Sequence, residues 1–345
     1  MSAKTSDRNG ALPLSGIRVI DFTQVMMGPV CTQMLGDYGA DVIKIERAGA
    51  GDLSRTTFPP TEGIDNPIFC SLNRNKRSVA LDLRSAESMA AVKTLIADAD
   101  VVVNNFRAGV MARKADPSHP MATYATALAD YSAGMHMVQG ILLALLQRER
   151  SGEGQKISVS LYNSMLAMQM QEAAMILMRD QEVNWAAMPL SGVFECADQP
   201  LVLVGAFKAN PLRDICAALG LPDLSLEARF ANLEQQFAHK AELQGMFRER
   251  FRTQPRDHWL ARLEARDLLC APVRDMREVL VDPQTVHNAM VMEGPAAGGT
   301  QYRFIASPIT MSAAPVTLSR VPPRLGEHTD EVLAEAAAGK TRGRP

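Results

Sequence analysis

The chemistry-bearing residues of this chain gather in three short stretches. Asn73-Arg74-Asn75-Lys76-Arg77 is a run of amide, guanidinium and ammonium donors. Arg47 is followed by Gly49, Gly51, Asp52 and Arg55, and Asn105-Phe106-Arg107 places a ring between an amide and a guanidinium. Guanidinium forks match phosphate bidentately and lysine adds a compact charge. Glycine permits close backbone approach, and a ring such as Phe106 offers a base a stacking face. Arg47, Asn75, Lys76, Arg77, Asn105, Phe106 and Arg107 are therefore candidates for a nucleotide-phosphate pocket. The alternative is a solvated basic surface, because neither a Walker sequence nor G-x-G-x-x-G is present.

Those stretches follow elements that can present them. Ile17 to Phe22 reads as a strand, Val30 to Tyr38 as a helix ending near Gly39, and Val42 to Glu46 as a second strand. Ser78 to Leu83 alternates like a third strand, Ala86 to Ala97 has helical spacing, and Asp100 to Asn104 resumes strand character. The pattern predicts an α/β chain with a parallel sheet flanked by helices, in which ligands collect at the carboxyl ends of strands. Further on, Leu201 to Gly205 reads as a strand and Pro211 to Leu219 as a helix entered through Asn210.

Bulk properties limit the function classes. The 345 residues are 47% hydrophobic and 21% charged, an ordinary globular composition, and a formal net charge of −2 gives no general basic excess for nucleic acid or an anionic membrane. No signal-peptide pattern opens the chain and no apolar stretch is long enough to span a bilayer, so a cytoplasmic protein is expected. Five cysteines without close pairs fit reduced thiols, and six histidines show no metal-ligand spacing, so no metal is expected.

Leu14-Ser15-Gly16-Ile17-Arg18-Val19-Ile20-Asp21-Phe22-Thr23, then Gly28-Pro29, then Leu35 to Arg47, resemble the opening signature of the class III (CaiB/BaiF-type) acyl-CoA transferases. Asn75-Lys76-Arg77-Ser78, Asp100 to Arg107, Ser151-Gly152-Glu153-Gly154-Gln155 ahead of a strand, Ala271-Pro272-Val273, Asp282-Pro283-Gln284 and Leu325 to Asp330 resemble later family motifs in order. The resemblance implies a Rossmann-like large domain with a parallel sheet plus a smaller α+β domain, in an interlocked homodimer. On that basis residues 1–187 form the first part of the large CoA-binding domain, 188–295 the small domain and 296–345 the return to the large one. It also implies coenzyme A thioesters and small carboxylic acids as substrates, with no permanently bound cofactor.

The family reaction needs an aspartate nucleophile, which passes through a mixed anhydride and an enzyme-bound CoA thioester. The resemblance places it between the Asn-Phe motif and the helix that contains Ala129-Asp130-Tyr131-Ser132-Ala133-Gly134. Here that connection is shorter by several tens of residues, as if an internal deletion had joined its flanks. Asp130 and Asp116 are the replacement carboxylates at hand; Asp130 also reads as a helix cap and Asp116 as a turn residue. His136 reads as a packed histidine or an acid-base group. Three functions stay open: CoA transfer, acyl-CoA racemization, and CoA binding without chemistry. A lost strand and helix should leave a sheet edge exposed near Asp100 to Asn104.

Overall fold

The alternation of the first hundred residues builds a four-stranded parallel sheet. The computed structural model describes residues 12–57, 66–105, 126–205, 208–296 and 301–338. In chain order come β1 (Arg18–Asp21), α1 (Met27–Asp37), β2 (Asp41–Arg47), α2 (Pro67–Leu72), β3 (Lys76–Leu81), α3 (Ala86–Ala97) and β4 (Val101–Val103). The sheet order is β3-β2-β1-β4, and all three pairings are parallel. Apolar residues alternate between two faces: Val19, Val42 and Val103 pack with α1, while Ile20, Ile43, Ile45 and Val79 pack with α3. The chain goes on through α4 (Leu128–Ser151) and α5 (Leu161–Met168). Ile141 of α4 joins the α1-side core.

β4 ends the sheet among the described residues, and Val102 is 45% exposed on it. The strand expected after Gln155 has no ladder partner: residues 153–159 make no backbone–backbone hydrogen bond among the described residues, although Ile157 and Val159 are half-buried and Ser158 exposed. Alternation alone cannot make a strand, because the ladder needs a second chain segment.

The described residues divide into two compact units, 12–105, 126–169 and 283–338 in one and 170–282 in the other. In the second unit follow α6 (Met170–Arg179), β5 (Ser191–Phe194), β6 (Leu201–Val204), α7 (Pro211–Leu219), α8 (Leu233–Ala238), α9 (Lys240–Phe251), α10 (Arg256–Glu264), β7 (Leu269–Pro272) and α11 (Met276–Val281). Its antiparallel sheet, β5-β6-β7, covers a core that includes Phe194, Phe247, Phe251 and Trp259. The buried indole N–H of Trp259 donates to the Phe251 carbonyl at 2.8 Å. The return to the first unit comes at the Asp282–Pro283 step, where a proline opens α12 (Pro283–His287). The boundary at residue 296 that the resemblance implied lies further along.

The C-terminal stretch then adds a hairpin of β8 (Val291–Pro295) and β9 (Gln301–Ile305), and α13 (Thr329–Ala337). It covers the β3 side of the sheet: Thr329 Oγ1 accepts from the Ala80 N–H, and Val332 enters the α3-side core. No helix among the described residues is long and apolar enough to cross a membrane.

Candidate active site

Strand alternation that buries apolar residues at one end of the sheet buries charges at the other. Two residues beyond Val19 on the same face lies Asp21, and beyond Val42 lie Lys44 and Glu46; β3 adds Lys76 and Ser78. Asp21, Lys44 and Lys76 are fully buried. Asp21 accepts from the Thr23 and Thr32 hydroxyls at 2.5 and 2.7 Å and from Lys76 Nζ at 3.1 Å. Burial alone would raise its carboxyl. The charges of Lys76 and Lys44 and the two hydroxyls outweigh that and hold it at about 2.

A folded-state pKa below the unfolded value of 3.8 means that the unfolded chain binds the extra proton between the two. The stability Asp21 contributes is full above pH 4 or so and is lost as pH falls toward about 2. Denaturant titrations across that window should show stability falling with acid, and Asp21→Asn should flatten the slope there.

The basic run does not converge on one ligand. Asn75, at φ +60°, donates to Asp37 and accepts from the backbone N–H groups of Ser319 and Arg320 through Oδ1. Lys76 points to the α1 face, where Asp21, Thr32, the Pro29 carbonyl and Asn73 take its ammonium. Arg77 points to the opposite face and pairs with Asp41, Glu331 and Glu335. Lys76 and Arg77, as neighbours in β3, face opposite ways and do not meet on one phosphate, while Asn75 precedes the strand and is held by Asp37 and the C-terminal stretch. In this chain they tie the sheet to the C-terminal stretch and to α1.

Arg47 stands exposed at the end of β2, without a side-chain partner among the described residues. Asn105, just past β4, grips the Gln24 backbone with both amide atoms at 2.8 Å. Phe106, Arg107 and Asp116 lie outside the described residues.

Beside β4 is a cavity of about 840 Å³, lined by Gln24 to Met27, Asp100 to Asn105, one face of α4 and residues 154–161. Two carboxylates reach it, and they differ. Asp100 is ion-paired to Arg148 at 2.9 Å and accepts from the Arg18 N–H. Asp130, in the first turn of α4, has no cationic partner among the described residues. Desolvation raises its carboxyl above the ordinary value, offset in part by its own backbone N–H and that of Met27, the first residue of α1. The cap expected on its own helix is not made: α4 has no side-chain cap hydrogen bond at its start. His136 does not line the cavity.

Four residues beyond Asp130, on the same face of α4, lies Gly134. A Cβ there would sit 2.9 Å from the Met27 carbonyl oxygen and 3.0 Å from Val30 Cγ1. Glycine therefore lets α4 close on α1 one turn beyond Asp130. Gly134→Ala should push them apart and cost about 1–3 kcal/mol as overpacking. Melting and cavity-ligand binding should fall together in that variant.

The thiols offer no rival nucleophile among the described residues: burial pushes Cys31 up to about 12 and Cys196 up to about 11. No cluster of three His, Cys, Asp or Glu side chains among the described residues is placed to hold a metal. The sequence reading weighed Asp130 as a cap or a substitute carboxylate. Its desolvation could not have been found there, since it depends on β4, α1 and α4 meeting.

The sequence profile of CoA-transferase family III matches residues 14–116 and 108–329, two stretches that meet just after β4. A human succinyl-CoA:glutarate CoA-transferase is 28% identical over 387 aligned positions, covering 96% of this chain and 87% of that protein. A formyl-CoA:oxalate CoA-transferase of Escherichia coli is 28% identical over 402 positions, covering 94% and 95%. Both alignments are longer than this chain of 345 residues, so each opens gaps in it. A crystal structure of a CaiB/BaiF family protein from Brucella suis superposes with a TM-score of 0.82 at 26% identity, covering 94% of this chain and all of that one. With its parallel sheet, its antiparallel sheets and a profile match across most of its length, this chain belongs to CoA-transferase family III.

Proposed function

We propose that this protein, as a cytoplasmic enzyme, moves coenzyme A between small carboxylic acids with Asp130 as its nucleophile. The observation that carries this is Asp130 itself, a carboxylate at the wall of the cavity, raised by desolvation and with no cationic partner among the described residues. A carboxylate without a salt bridge keeps its electron pair available for attack.

Asp130 attacks the thioester carbonyl, the C–S bond breaks, and CoA thiolate leaves a mixed anhydride. The thiolate then attacks the Asp130 carbonyl carbon, releasing the donor acid and leaving CoA on the enzyme as a thioester. The acceptor carboxylate repeats these steps in reverse, and no net proton is gained or lost. The anhydride must be kept from water, which would otherwise hydrolyse it.

The relatives named for succinyl-CoA with glutarate and for formyl-CoA with oxalate support small acids as the class. Arg47 and Asn105, with Phe106 and Arg107, remain the candidates for holding CoA at the carboxyl ends of the strands. The two-part profile match supports an internal deletion after β4. A homodimer is also part of this reading: α6 has no buried residue, and Leu177 and Met178 on it are 84% and 83% exposed, as suits a helix awaiting cover.

The test is mass spectrometry of the purified chain with acyl-CoA donors and a panel of carboxylic acids. New acyl-CoA species, absent without enzyme, are expected. CoA binding without exchange would reduce the protein to a binding member, and deuterium uptake at the α-carbon would move it to racemase chemistry.

A further inference from the structure

β3 is a terminal strand of the parallel sheet, so the backbone groups on its outer side need partners other than a strand. His328 supplies both for Ser78. Its own N–H donates to the Ser78 carbonyl at 2.9 Å, and its imidazole Nδ1 accepts from the Ser78 N–H at 3.3 Å. The neighbours continue the cover: the Gly326 N–H donates to Ser78 Oγ at 2.9 Å, and Thr329 Oγ1 accepts from the Ala80 N–H at 3.1 Å. Ser78 is fully buried, so its N–H depends on the acceptor that His328 brings.

Of the two side-chain acceptors on this edge, one titrates. A hydroxyl oxygen accepts across the whole neutral range, but Nδ1 accepts only while the imidazole is neutral. A proton added there sets two donors face to face, the Nδ1–H against the Ser78 N–H. His328 also stands at the N-terminal boundary of α13, where the unpaired N–H groups of the first turn disfavour a cation.

Charged groups face the ring from each element packed there. Arg77 of β3 and Arg320 of the C-terminal stretch oppose a positive charge, while Glu327 beside it and Glu331 of α13 favour one. Glu46 of β2 stands behind Ser78 and accepts from its hydroxyl at 2.6 Å. Burial, joined by the two arginines, outweighs the glutamates and holds the imidazole below its ordinary value of 6.5.

We infer that His328 is a pH-sensitive latch: neutral, it fastens the C-terminal stretch to the outer edge of β3, and protonated, it lets residues 326–338 lift from that edge. The folded value lies below the unfolded one, so the unfolded chain binds the extra proton between the two. The stability that the latch contributes is therefore full above pH 6.5 and is lost as pH falls through the folded value. Glutamates of ordinary acidity keep their charge in that window, so the ion pairs of Arg77 with Glu331 and Glu335 persist there. This goes beyond CoA transfer and does not depend on Asp130.

Other histidines titrate in the same window, so the readout has to be local. Hydrogen exchange of the full chain, followed by mass spectrometry at about pH 7.5 and about pH 5, gives one, with protection factors dividing out the intrinsic pH dependence of exchange. Peptides covering 76–81 and 326–338 should lose protection roughly threefold to tenfold in acid, the size of one lost hydrogen bond. Peptides from α9 and α10 should hold theirs. In His328→Asn a side-chain oxygen takes the place of Nδ1 and does not titrate, so the acid loss should disappear.

Equal protection at both pH values in the wild type, or the same acid loss in His328→Asn, overturns the latch. Should His328→Asn fold poorly, exchange of the imidazole C2 hydrogen in the wild type reports the titration of His328 itself. A midpoint below 6.5 is expected, and one at or above 6.5 overturns the proposal. No step uses CoA exchange, so the latch stands or falls apart from the transfer reading.

Discussion

Asp130→Asn should abolish CoA exchange, by on the order of a thousandfold or more, as expected when a covalent nucleophile is removed. The amide keeps the shape of the carboxylate and loses the charge that desolvation penalises, so the variant should melt at or above the wild-type temperature. That combination distinguishes chemistry from folding, because a residue that mattered as a helix anchor alone would lower stability first. Wild-type protein incubated with acyl-CoA and then treated with borohydride should carry its reduction product on the peptide containing Asp130. Exchange at the wild-type rate by Asp130→Asn would place the nucleophile elsewhere, and Asp116 would be the next carboxylate to replace.

The second large effect is expected at Lys76. Lys76→Met leaves Asp21 fully buried with two hydroxyls and no ammonium in contact, and breaking a buried pair from one side costs about 3–5 kcal/mol. Melting should drop by roughly 10 °C or more at the usual sensitivity of domains of this size. The double variant Asp21→Asn with Lys76→Met should recover part of the loss, since it removes the orphaned charge and not only its partner. CoA affinity measured on whatever folds is the decisive comparison. If Lys76→Met folds like wild type and loses CoA instead, Lys76 is a ligand group and the buried pair is incidental.

The sheet was legible in the sequence because its signal is local. Val19 and Ile20, Val42 and Ile43 alternate across a pleat, and no distant residue is needed to see that they sit in strands. The α3 helix was legible for the same reason, with Ser85 capping it through the Ser88 N–H. The segment after Gln155 shows where local pattern stops: its alternation is right for a strand, but pairing depends on a neighbour that the described residues do not supply.

The site residues divide along the same line. Residue type alone made Asn75, Lys76 and Arg77 look like a phosphate cradle, and composition could not reveal that β3 would turn Lys76 and Arg77 to opposite faces and that each of the three would find its own partner. Asp130 was visible only as a carboxylate at a helix start. Its distinction from Asp100 arose when Gly134 let α4 close on α1, leaving one carboxylate desolvated and the other paired with Arg148. By itself the sequence determined the α/β alternation and the family signatures, because both are carried by neighbouring residues along the chain. Only the tertiary structure decided which charges are internal braces and which carboxylate lacks a cationic partner among the described residues, because burial and partnership are set by residues far apart in sequence.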